Sequence, residues 1–573
     1  MKYMVTVSKQ SKQSKQAFLM KPLFAAVLLA SLDAYAAGPE VTPNAGSILQ
    51  QLQPAVPAIV QPDVPTLEVK PRSDANLPPS QPIQVNTLRI TGNTAFTAET
   101  LHALVADQEG KSLTLPQLGE LAGRITAYYQ SHGFPLTRAI IPAQSITEGV
   151  IIIQVVEAHY GKVQLNNHSE VSDALLNASL APLSGGALIA DDELNRALLL
   201  LSDVPGVGVN AVLKPGAAVG TADMDVETRY NQAPLANISL DNYGNRYIGR
   251  TRLSGNLNIA NPFHHGDTLS ANIITTGEGM NYARVGYDTL LNGQGTRVGG
   301  AYSALHYKLG STVSALDANG TAAVASLWAK HPWIRTKQYN LYAQLQYDAK
   351  NLRDHVDVSN LRTDRHLNNW VLSVNGDLRD NLLAGGISTA SVGWTNGRSS
   401  FDDASAAASD ATTARTSGGF SKWNANIARL QGLTPRDSLY FNVSAQWADG
   451  NLDSAEKMTA GGPYTVRAYD IGAISGDTGY VSTVEMRHDL GPLPFGKWQV
   501  LAFIDSAYVK VNRRPWTTAE NSATLSGAGV GLNWTGPDQW RASASVATRL
   551  GAVSSLLSQQ SSVRAWLVAS KAF

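Results

Sequence analysis

The second half of the sequence alternates apolar side chains with polar or small ones, and this pattern constrains the fold more than any other feature. A side-chain period of two is that of a β-strand, because successive side chains point to opposite faces. The clearest segments are Leu253-Gly255-Leu257-Ile259, Leu341-Ala343-Leu345-Tyr347, Leu439-Phe441-Val443-Ala445-Trp447 and Trp540-Ala542-Ala544-Val546. Residues 233–573 are therefore predicted to form a transmembrane antiparallel β-barrel of about 16 strands, apolar toward lipid and polar toward the lumen.

A large soluble β-sandwich or propeller is the alternative, because such folds also alternate. No repeated blade is visible, and the chain ends in Phe573 after the strand-like segment Val563–Val568, which favours a barrel. Lys571 interrupts the apolar alternation near the C-terminus and counts against it.

The first 36 residues have the order of a secretory signal peptide. Lysines precede the apolar run Pro22–Leu32, and the small-residue site Ala34-Tyr35-Ala36 follows it, so cleavage is predicted after Ala36. A membrane anchor is the alternative, but the run is well short of the roughly 20 residues that a spanning helix needs. The absence of cysteine fits export to an oxidising compartment.

Charge and motifs exclude several classes of function. Lys and Arg together number 45, as do Asp and Glu, so the chain lacks the basic excess that nucleic-acid binding requires. No P-loop, G-x-S-x-G or H-E-x-x-H motif occurs, and neither an enzyme nor a cofactor is predicted. The clusters His264-His265 and Asp354-His355-Val356-Asp357 fall in predicted turns or loops and are interpreted as solvated residues rather than metal ligands.

Two segments precede the folded units. Residues 37–53 are predicted to contain a short helix that starts near Asn44 or Ser47 and stops at Pro54. Its surface is mostly glutamine, so it would not anchor strongly in a hydrophobic core, but it suits a polar, water-filled lumen as a pore plug. A frayed terminal helix is an equally open interpretation. Recurring prolines in residues 54–82 predict an extended, semi-rigid linker with neither helix nor strand pairing.

The region from 83 to 232 repeats the order βααββ and predicts two α+β domains, 83–159 and 160–232. Thr114 with Gln117 matches a capping box at the start of a helix. The first repeat has predicted strands Gln84–Ile90, Leu136–Ile141 and Val150–Val156, and helices Ala98–Ala106 and Thr114–Gly133. The second has predicted strands Lys162–Asn166, Val207–Leu213 and Met224–Arg229, and helices near Asp173–Leu180 and from Asp191.

Several motifs along the chain carry a family resemblance. They include residues 46–54, residues 127–136, Leu240-Asp241-Asn242-Tyr243-Gly244, Asn261-Pro262-Phe263, Val466-Arg467-Ala468-Tyr469 and Phe503-Ile504-Asp505. The βααββ units resemble POTRA domains, and the whole chain resembles the outer-membrane transporter of two-partner secretion systems, the TpsB family of haemolysin and haemagglutinin secretion-activation proteins. The last two motifs are similar to the family's VRGY loop tip and F-x-D barrel wall.

The resemblance implies that Val466, Arg467, Ala468 and Tyr469 form the tip of a loop, around residues 459–479, that folds back into the lumen. Ala468 stands where the family has glycine, so a turn with positive φ is not expected there.

A latch between Arg467 and Asp505 is predicted for this loop. A loop inside an aqueous lumen gains little from apolar packing, whereas a bidentate, charge-assisted Arg–carboxylate pair can hold it. Strand parity supports the pair, because Val500 and Ile504 would face lipid while Phe503 and Asp505 face the lumen.

The resemblance further implies type V secretion in a Gram-negative bacterium, with the POTRA domains in the periplasm. The partner would be an unfolded TpsA-like exoprotein, haemolysin-like or adhesin-like. Because no nucleotide-binding motif occurs, export is expected to run without ATP hydrolysis by this chain. An edge strand such as Leu136–Ile141 is expected to capture the extended exoprotein by strand pairing. Outer-membrane lipid and the barrel-assembly machinery are the other expected partners. A barrel-assembly insertase, a porin and a barrel enzyme are the alternative functions. The Ala, Ser and Thr-rich segment Arg398–Gly419 is predicted to be a flexible surface loop.

Overall fold

The computed structural model describes residues 42–52, 65–69, 78–231, 235–557 and 561–573. The predicted signal peptide, 1–36, lies outside these ranges, as does most of the predicted linker. Within the described ranges, no helix has the length and apolarity needed to cross a bilayer.

The described chain begins with helix α1 (Ala45–Leu52) and strand β1 (Thr66–Val69). Asn44 caps α1, because its side-chain oxygen accepts a hydrogen bond of 3.0 Å from the Ser47 backbone N–H. The helix therefore starts at the first of the two predicted positions.

The first unit folds around a three-stranded sheet of order β3-β6-β5, with β3 parallel and β5 antiparallel to the central strand β6. Its elements are β2 (Ile83–Gln84), β3 (Thr87–Thr91), α2 (Ala98–His102), β4 (Ser112–Leu113), α3 (Leu115–Ser131), β5 (Arg138–Ile140) and β6 (Val150–Val156). The buried face of α3 packs its leucines and Ile125 on this sheet. Thr114 caps α3, and its backbone N–H donates to Gln117 Oε1 at 2.8 Å.

The predicted strand Gln84–Ile90 was wrong as a single element. Ile83 pairs with Leu113 of β4, whereas Thr87 pairs with Val150 of β6, so the chain must bend between them. Asn86 fixes that bend, since its side-chain amide donates to the Glu148 carbonyl at 2.9 Å.

The second unit has a four-stranded sheet of order β1-β8-β9-β7, covered by two helices. Its elements are β7 (His159–His168), α4 (Asp173–Leu180), α5 (Asp191–Ser202), β8 (Val207–Pro215) and β9 (Thr221–Tyr230). The prediction that the linker makes no strand pairing was wrong, because β1 pairs in parallel with β8. The reason is local: Thr66–Val69 contains no proline, and both of its end residues, Thr66 and Val69, are β-branched residues that favour strands.

The remaining chain closes into a barrel of 16 antiparallel strands among the described residues, which confirms the predicted fold class. The wall strands are β10 (Ala236–Asp241), β11 (Arg252–Ala260), β12 (Thr268–Thr275), β13 (Met280–Leu290), β14 (Arg297–Lys308), β15 (Ala318–Arg335), β16 (Tyr339–Val356), β17 (Leu361–Asp380), β18 (Gly386–Phe401), β19 (Gly418–Gly432), β20 (Asp437–Ala448), β23 (Thr478–Leu493), β24 (Gly496–Lys510), β25 (Ser522–Thr535), β26 (Trp540–Arg549) and β27 (Val563–Ala572). The short strands β21 (Met458–Ala460) and β22 (Ile474–Gly476) form a separate hairpin. Closure comes from the antiparallel pairing of β10 with β27.

Large apolar side chains project outward from the wall, as the alternating pattern requires. Trp370, Ile427 and Val530 are each more than half exposed on the outer surface. Lys571 is accommodated in the last strand because its ammonium lies 5.5 Å from the Trp540 ring centre and 5.0 Å from that of Phe573.

The segment Arg398–Gly419 was wrongly predicted to be a flexible loop. Its first residues belong to β18, and helix α6 (Ala404–Thr412) occupies its centre. Alanine is the best helix former. Asp403 caps the helix by accepting the Ser405 N–H at 2.7 Å, and Asp410 accepts the N–H groups of Thr416 and Ser417 at its end.

The second unit is fixed to one end of the barrel. Arg335 of β15 donates two hydrogen bonds of 2.7 Å to the carboxylate of Asp203, which follows α5. His264, in the turn after β11, donates from Nδ1 to the Glu170 carbonyl at 2.8 Å. The predicted turn position of His264 is correct, and its partner is a backbone carbonyl.

Candidate functional site in the barrel lumen

The connection between β20 and β23, residues 449–477, leaves the far end of the barrel and returns into its interior; it is called the lumen loop below. Gly461, Gly462 and Gly472 have positive φ angles, which permit the sharp turns of this path. Val466 and Ala468 are fully buried, although they lie in a loop. The wall of the barrel and the lumen loop therefore form one packed unit.

Arg467 contacts Asp505 as the sequence predicted. Its Nε and Nη2 donate to the two carboxylate oxygens at 2.9 Å each, and its backbone N–H donates to Oδ2 at 3.1 Å. Asp505 is completely buried, and its Oδ1 also accepts the Thr483 hydroxyl at 3.0 Å. This is the bidentate, charge-assisted geometry that orients a guanidinium most firmly.

Three further wall residues hold Arg467. Its Nη1 donates to Glu485 at 2.7 Å, and its guanidinium carbon lies 3.2 Å from the centre of the Phe503 ring. Trp566 donates its indole N–H to the Arg467 carbonyl at 2.7 Å. The ring face of Phe503 thus attracts the Arg467 guanidinium through a cation–π interaction. Sequence reasoning missed Glu485 and Trp566, although Glu485 is a charged strand residue on the same face as Asp505.

Ala468 stands at the position where the resembled motif has glycine. It does not adopt a positive φ, as expected. Its methyl group lies against Gly527 of β25, where a side chain would collide with it. Gly527 in the wall therefore has no side chain at the point where Ala468 of the loop tip places its methyl group. Tyr469 is buried beside it and donates its N–H to the Val466 carbonyl at 3.1 Å.

Asp470 extends the contact of the tip around the wall. Its carboxylate pairs with Arg564 of β27 at 2.6 Å and with Arg250, in the β10–β11 connection, at 3.2 Å. The tip is therefore tied to both sides of the β10–β27 closure.

A second anchor, which the sequence did not reveal, holds the earlier part of the lumen loop. Glu456 is nearly fully buried and accepts hydrogen bonds from Lys350 at 2.6 Å, Lys422 at 2.9 Å and the Asn369 amide at 2.7 Å. These three partners lie on β16, β19 and β17. They are far apart in the sequence and share no motif that would predict their contact.

Helix α1 lies in the lumen against the lumen loop. Gly46 approaches Ser454 and Ala455 so closely that any side chain at Gly46 would collide with them. The Gln50 amide donates to the Ala455 carbonyl, and Gln51 accepts from Asn245 at 3.2 Å. The glutamine-rich face therefore has polar partners.

The apolar face of α1 is also engaged, which corrects the expectation of weak anchoring. Ile48 is fully buried in a cluster that includes Tyr307, Leu352 and Leu452. The lumen offers this apolar patch because the loop and wall side chains close around it.

One carboxylate connects α1, the wall and the lumen loop. Asp354 accepts the Ala45 N–H at 2.7 Å and the Tyr307 hydroxyl at 2.6 Å, and it pairs with Arg365. Arg365 also donates to Asp453 of the lumen loop at 2.7 Å. The interpretation of Asp354 as a solvated loop residue was therefore wrong, because Asp354 lies in β16.

Within the described residues, no group of His, Cys, Asp and Glu side chains could hold a metal ion. The lumen site consists of ion pairs and packed helix and loop segments. Such a site holds the lumen loop and α1 against the barrel wall.

Comparison with known proteins gives consistent matches. The sequence model described as haemolysin secretion/activation protein ShlB/FhaC/HecB matches residues 220–534, and that of the ShlB-type POTRA domain matches residues 83–158. The heme/hemopexin transporter protein HuxB of Haemophilus influenzae (strain 86-028NP) is 28% identical over 475 residues, covering 82% of this chain and 83% of the relative. The outer membrane transporter CdiB of Dickeya dadantii (strain 3937) is 20% identical over 446 residues, covering 75% and 76%.

A solved structure shares the fold. CdiB from Escherichia coli superposes with a TM-score of 0.72 at 19% identity, covering 93% of this chain and 99% of that one. CdiB from Acinetobacter baumannii superposes with a TM-score of 0.63 at 17% identity.

Proposed function

We propose a function that follows from the family of this chain, which belongs to the haemolysin secretion/activation proteins ShlB/FhaC/HecB. The barrel passes an unfolded partner exoprotein to the cell surface without ATP hydrolysis. The protein is an outer-membrane translocator whose POTRA region lies in the periplasm. The observation that carries the proposal is the lumen itself, which is filled by α1 and by a loop that Arg467 fastens to Asp505 and Glu485. Both elements are held by contacts that a passing chain can replace.

The proposed resting state is closed, and opening requires exchange of polar contacts. Removing one partner of a buried ion pair costs about 3–5 kcal/mol, and water in the lumen lowers that cost. The energy for export would come from folding of the exoprotein outside the cell, since a folded domain is stable by about 5–15 kcal/mol. We assign no catalytic role to the chain, because it has no nucleophile or metal motif of a known hydrolase.

The first unit is the proposed entry point for the exoprotein. Among the described residues, strand β5 pairs with β6 on one side, the Ala139 N–H donates to the Thr126 hydroxyl at 2.9 Å, and Ile140 is 43% exposed. Phe96, Tyr128 and Phe134 form a partly buried aromatic cluster at the end of α3. An extended chain could add to the strand edge while its apolar side chains contact the cluster.

The proposed partner is a large haemolysin-like or adhesin-like exoprotein encoded beside this chain. The name of the Haemophilus relative suggests a second candidate, an exoprotein that acts on haem or hemopexin. The protein would itself enter the membrane through the barrel-assembly machinery.

Co-expression with the neighbouring exoprotein tests the proposal. The exoprotein is measured in the medium and periplasm with the intact protein, with residues 83–232 deleted, and with Arg467→Ala. Export is expected only with the intact protein and should fall sharply in both variants at equal barrel levels. If export is unaffected while other outer-membrane barrels fail to assemble, the chain is an insertase and the proposal fails.

A further inference from the structure

The outer face of the barrel carries a groove that the proposed export function does not use. The groove has a volume of about 640 Å³ and is lined by residues of β12 to β16. This volume falls within the roughly 300–1,000 Å³ of small-molecule sites. On β14, Leu305 and Tyr307 pack inward in the cluster that holds α1, so the alternate residues Ala304 and His306 face outward. The groove therefore opens toward lipid rather than toward the lumen.

Three alanines form the floor of the groove. Ala283, Ala304 and Ala323 are direct cross-strand neighbours on β13, β14 and β15, and they are called the alanine strip below. Adjacent strands lie about 4.8 Å apart, so the strip is about 10 Å wide. Ile273, whose side chain is 59% exposed, borders it on β12, and Asn351 borders it on β16. The strip is thus an apolar depression between larger side chains.

A row of polar residues closes one end of the groove. The row crosses four neighbouring strands in direct register and consists of Asn281, His306, Thr321 and Arg353, called the polar row below. All four are exposed. Their end of the wall is opposite to the end at which Arg335 of β15 holds the second unit, so the polar row faces the cell surface.

Arg353 supplies the positive charge of the polar row. Among the residues that the structure describes, no carboxylate forms an ion pair with it. Asp364 is its register partner on β17, but the Asp364 carboxylate lies 3.7 Å from the imidazole of His355. An anion would therefore approach Arg353 from the Thr321 side, away from Asp364 and within reach of the Thr321 hydroxyl.

The groove lies at the depth of a bilayer interface. Aromatic side chains form girdles at the two interfaces of a transmembrane barrel. Tyr302, on the outer face of β14, precedes His306 by four residues, about 13 Å along an extended strand. On the neighbouring strands, exposed Trp370 contacts Tyr347 with ring centres 4.9 Å apart. The polar row is therefore at the level of lipid headgroups, and the alanine strip is at the upper end of the acyl-chain region.

We propose that this groove binds a phosphate-bearing lipid of the outer leaflet, with an acyl chain on the alanine strip and the phosphate at the polar row. A guanidinium can donate two parallel hydrogen bonds to a phosphate, and the Asn281 amide and Thr321 hydroxyl are further donors. The floor is already formed, because the same strands pack against α1 from inside. Binding therefore requires little ordering of the protein. The site is separate from the lumen and does not depend on export.

Native mass spectrometry of the purified full-length protein in a neutral detergent measures this binding. The probe is lipid A, a phosphorylated glycolipid, and its fully dephosphorylated form is the matched control ligand. The protein should bind lipid A about tenfold more tightly than the dephosphorylated lipid, because only lipid A offers charge-assisted hydrogen bonds to the polar row. Inorganic phosphate at the same concentration should not compete, since it has no acyl chain for the alanine strip.

Two pairs of variants separate the headgroup contact from the acyl-chain contact. Arg353→Gln should weaken the binding of lipid A about tenfold and leave that of the dephosphorylated lipid unchanged. Its control is Arg436→Gln, which removes an exposed arginine from the β19–β20 turn and should bind both lipids as the parent does. Ala323→Leu fills the alanine strip and should weaken the binding of both lipids roughly tenfold. Ala329→Leu, the same change further along the outer face of β15, is its control and should have no effect.

The heat-dependent mobility of the barrel on gels shows that each variant is folded before its binding is compared. Equal binding of lipid A by the parent and Arg353→Gln would overturn the phosphate contact and with it the proposal. Unchanged binding in Ala323→Leu, or competition by inorganic phosphate, would show that the groove takes no part, and this result would also overturn it. The exoprotein is absent from every measurement, so the outcome is independent of the proposed export.

Discussion

At its tip, the lumen loop is held by one guanidinium between two carboxylates, whereas near its start it is held by one carboxylate between two ammonium groups. Arg467 presents a planar fork to Asp505 and lies on the Phe503 ring, so both its position and its orientation are fixed. Glu456 is approached by Lys350 and Lys422, which act as point charges on flexible stems. The first anchor defines a geometry, and the second mainly neutralises a buried charge.

The two anchors also differ in what they hold. The Arg467 anchor fixes the loop tip to β23, β24 and β27. Beside the Glu456 anchor, Asp453 is linked through Arg365 to Asp354, which accepts the first N–H of α1. The ion pairs at the start of the loop therefore connect to α1, whereas those of Arg467 connect to the barrel wall.

The largest expected effect is that of Arg467→Ala. The variant leaves the carboxylate of Asp505 buried without its cation, at a cost of about 3–5 kcal/mol, whereas Glu485 keeps its ion pair with Arg487 at 2.7 Å. Hydrogen exchange of the backbone amides in residues 458–476 should accelerate by roughly 100-fold. Arg436→Ala, which changes an exposed arginine in the β19–β20 turn, is the control and should leave exchange unchanged. Equal exchange in both variants would show that the tip is held by packing rather than by charge.

The second prediction tests the charge balance of the other anchor. Glu456→Gln leaves two buried ammonium groups without a carboxylate and should destabilise the barrel by about 3 kcal/mol. Lys422→Gln leaves Glu456 still paired with Lys350 and should cost about 1 kcal/mol or less. Thermal unfolding, followed by the mobility shift of the barrel on gels, measures both. If the two variants are equally unstable, the anchor depends on shape rather than on charge balance.

The difference between the anchors also explains which parts of the site the sequence could predict. Arg467 and Asp505 were recognisable because each lies in a short motif, and strand parity placed Asp505 in the lumen. Glu456, Lys350 and Lys422 lie far apart in the sequence, and only closure of the barrel brings them together. No periodicity or spacing records such a contact.

The fold shows the same division between local and long-range information. Alternation predicted the barrel, because lipid imposes one rule on every strand. The pairing of β1 with β8 was missed because prolines dominate the composition around four residues that can form a strand. Helix α6 was missed because an alanine-rich stretch between two strands was interpreted by its place in the barrel instead of by its helix propensity.

A smaller effect is expected from Asp354→Asn, which tests the link between the loop and α1. Asparagine can still accept the Ala45 N–H but loses the charge that attracts Arg365, a loss of about 1–2 kcal/mol. If α1 closes the lumen, single-channel recordings in planar bilayers should show roughly tenfold more frequent openings, because α1 is released more often. Asp357→Asn, three residues further along the chain, is the control and should behave like the parent. If neither variant changes the opening frequency, α1 is held by the packing of its apolar face rather than by the Asp354 contacts.

The smallest effect is expected at Glu157 in the first unit, a buried carboxylate held by neutral donors in contrast to Glu456. Burial acts to raise the pKa of Glu157, but hydrogen bonds from the Ala95 and Thr94 N–H groups, the Thr94 hydroxyl and the Tyr129 hydroxyl outweigh it and lower the pKa. Because the folded-state pKa is lowered, the stabilisation is present above the ordinary glutamate value and is lost as the pH falls through the lower, folded-state value. The stability of the first unit should therefore decline in acid by about 1 kcal/mol, and Glu157→Gln should remove that decline.

Chemical denaturation of the full-length protein at neutral and acidic pH, followed by hydrogen exchange in residues 83–158, measures this effect. Glu148→Gln, which changes an exposed glutamate nearby, is the control and should retain the acid sensitivity of the parent. Neutral donors carry no counter-charge, so added salt should leave the Glu157 contribution unchanged, whereas it should weaken a contribution that depends on ion pairs. A strong salt dependence at Glu157 would mean that its environment resembles the Glu456 anchor after all, and the contrast between neutral and charged carboxylate sites would then disappear.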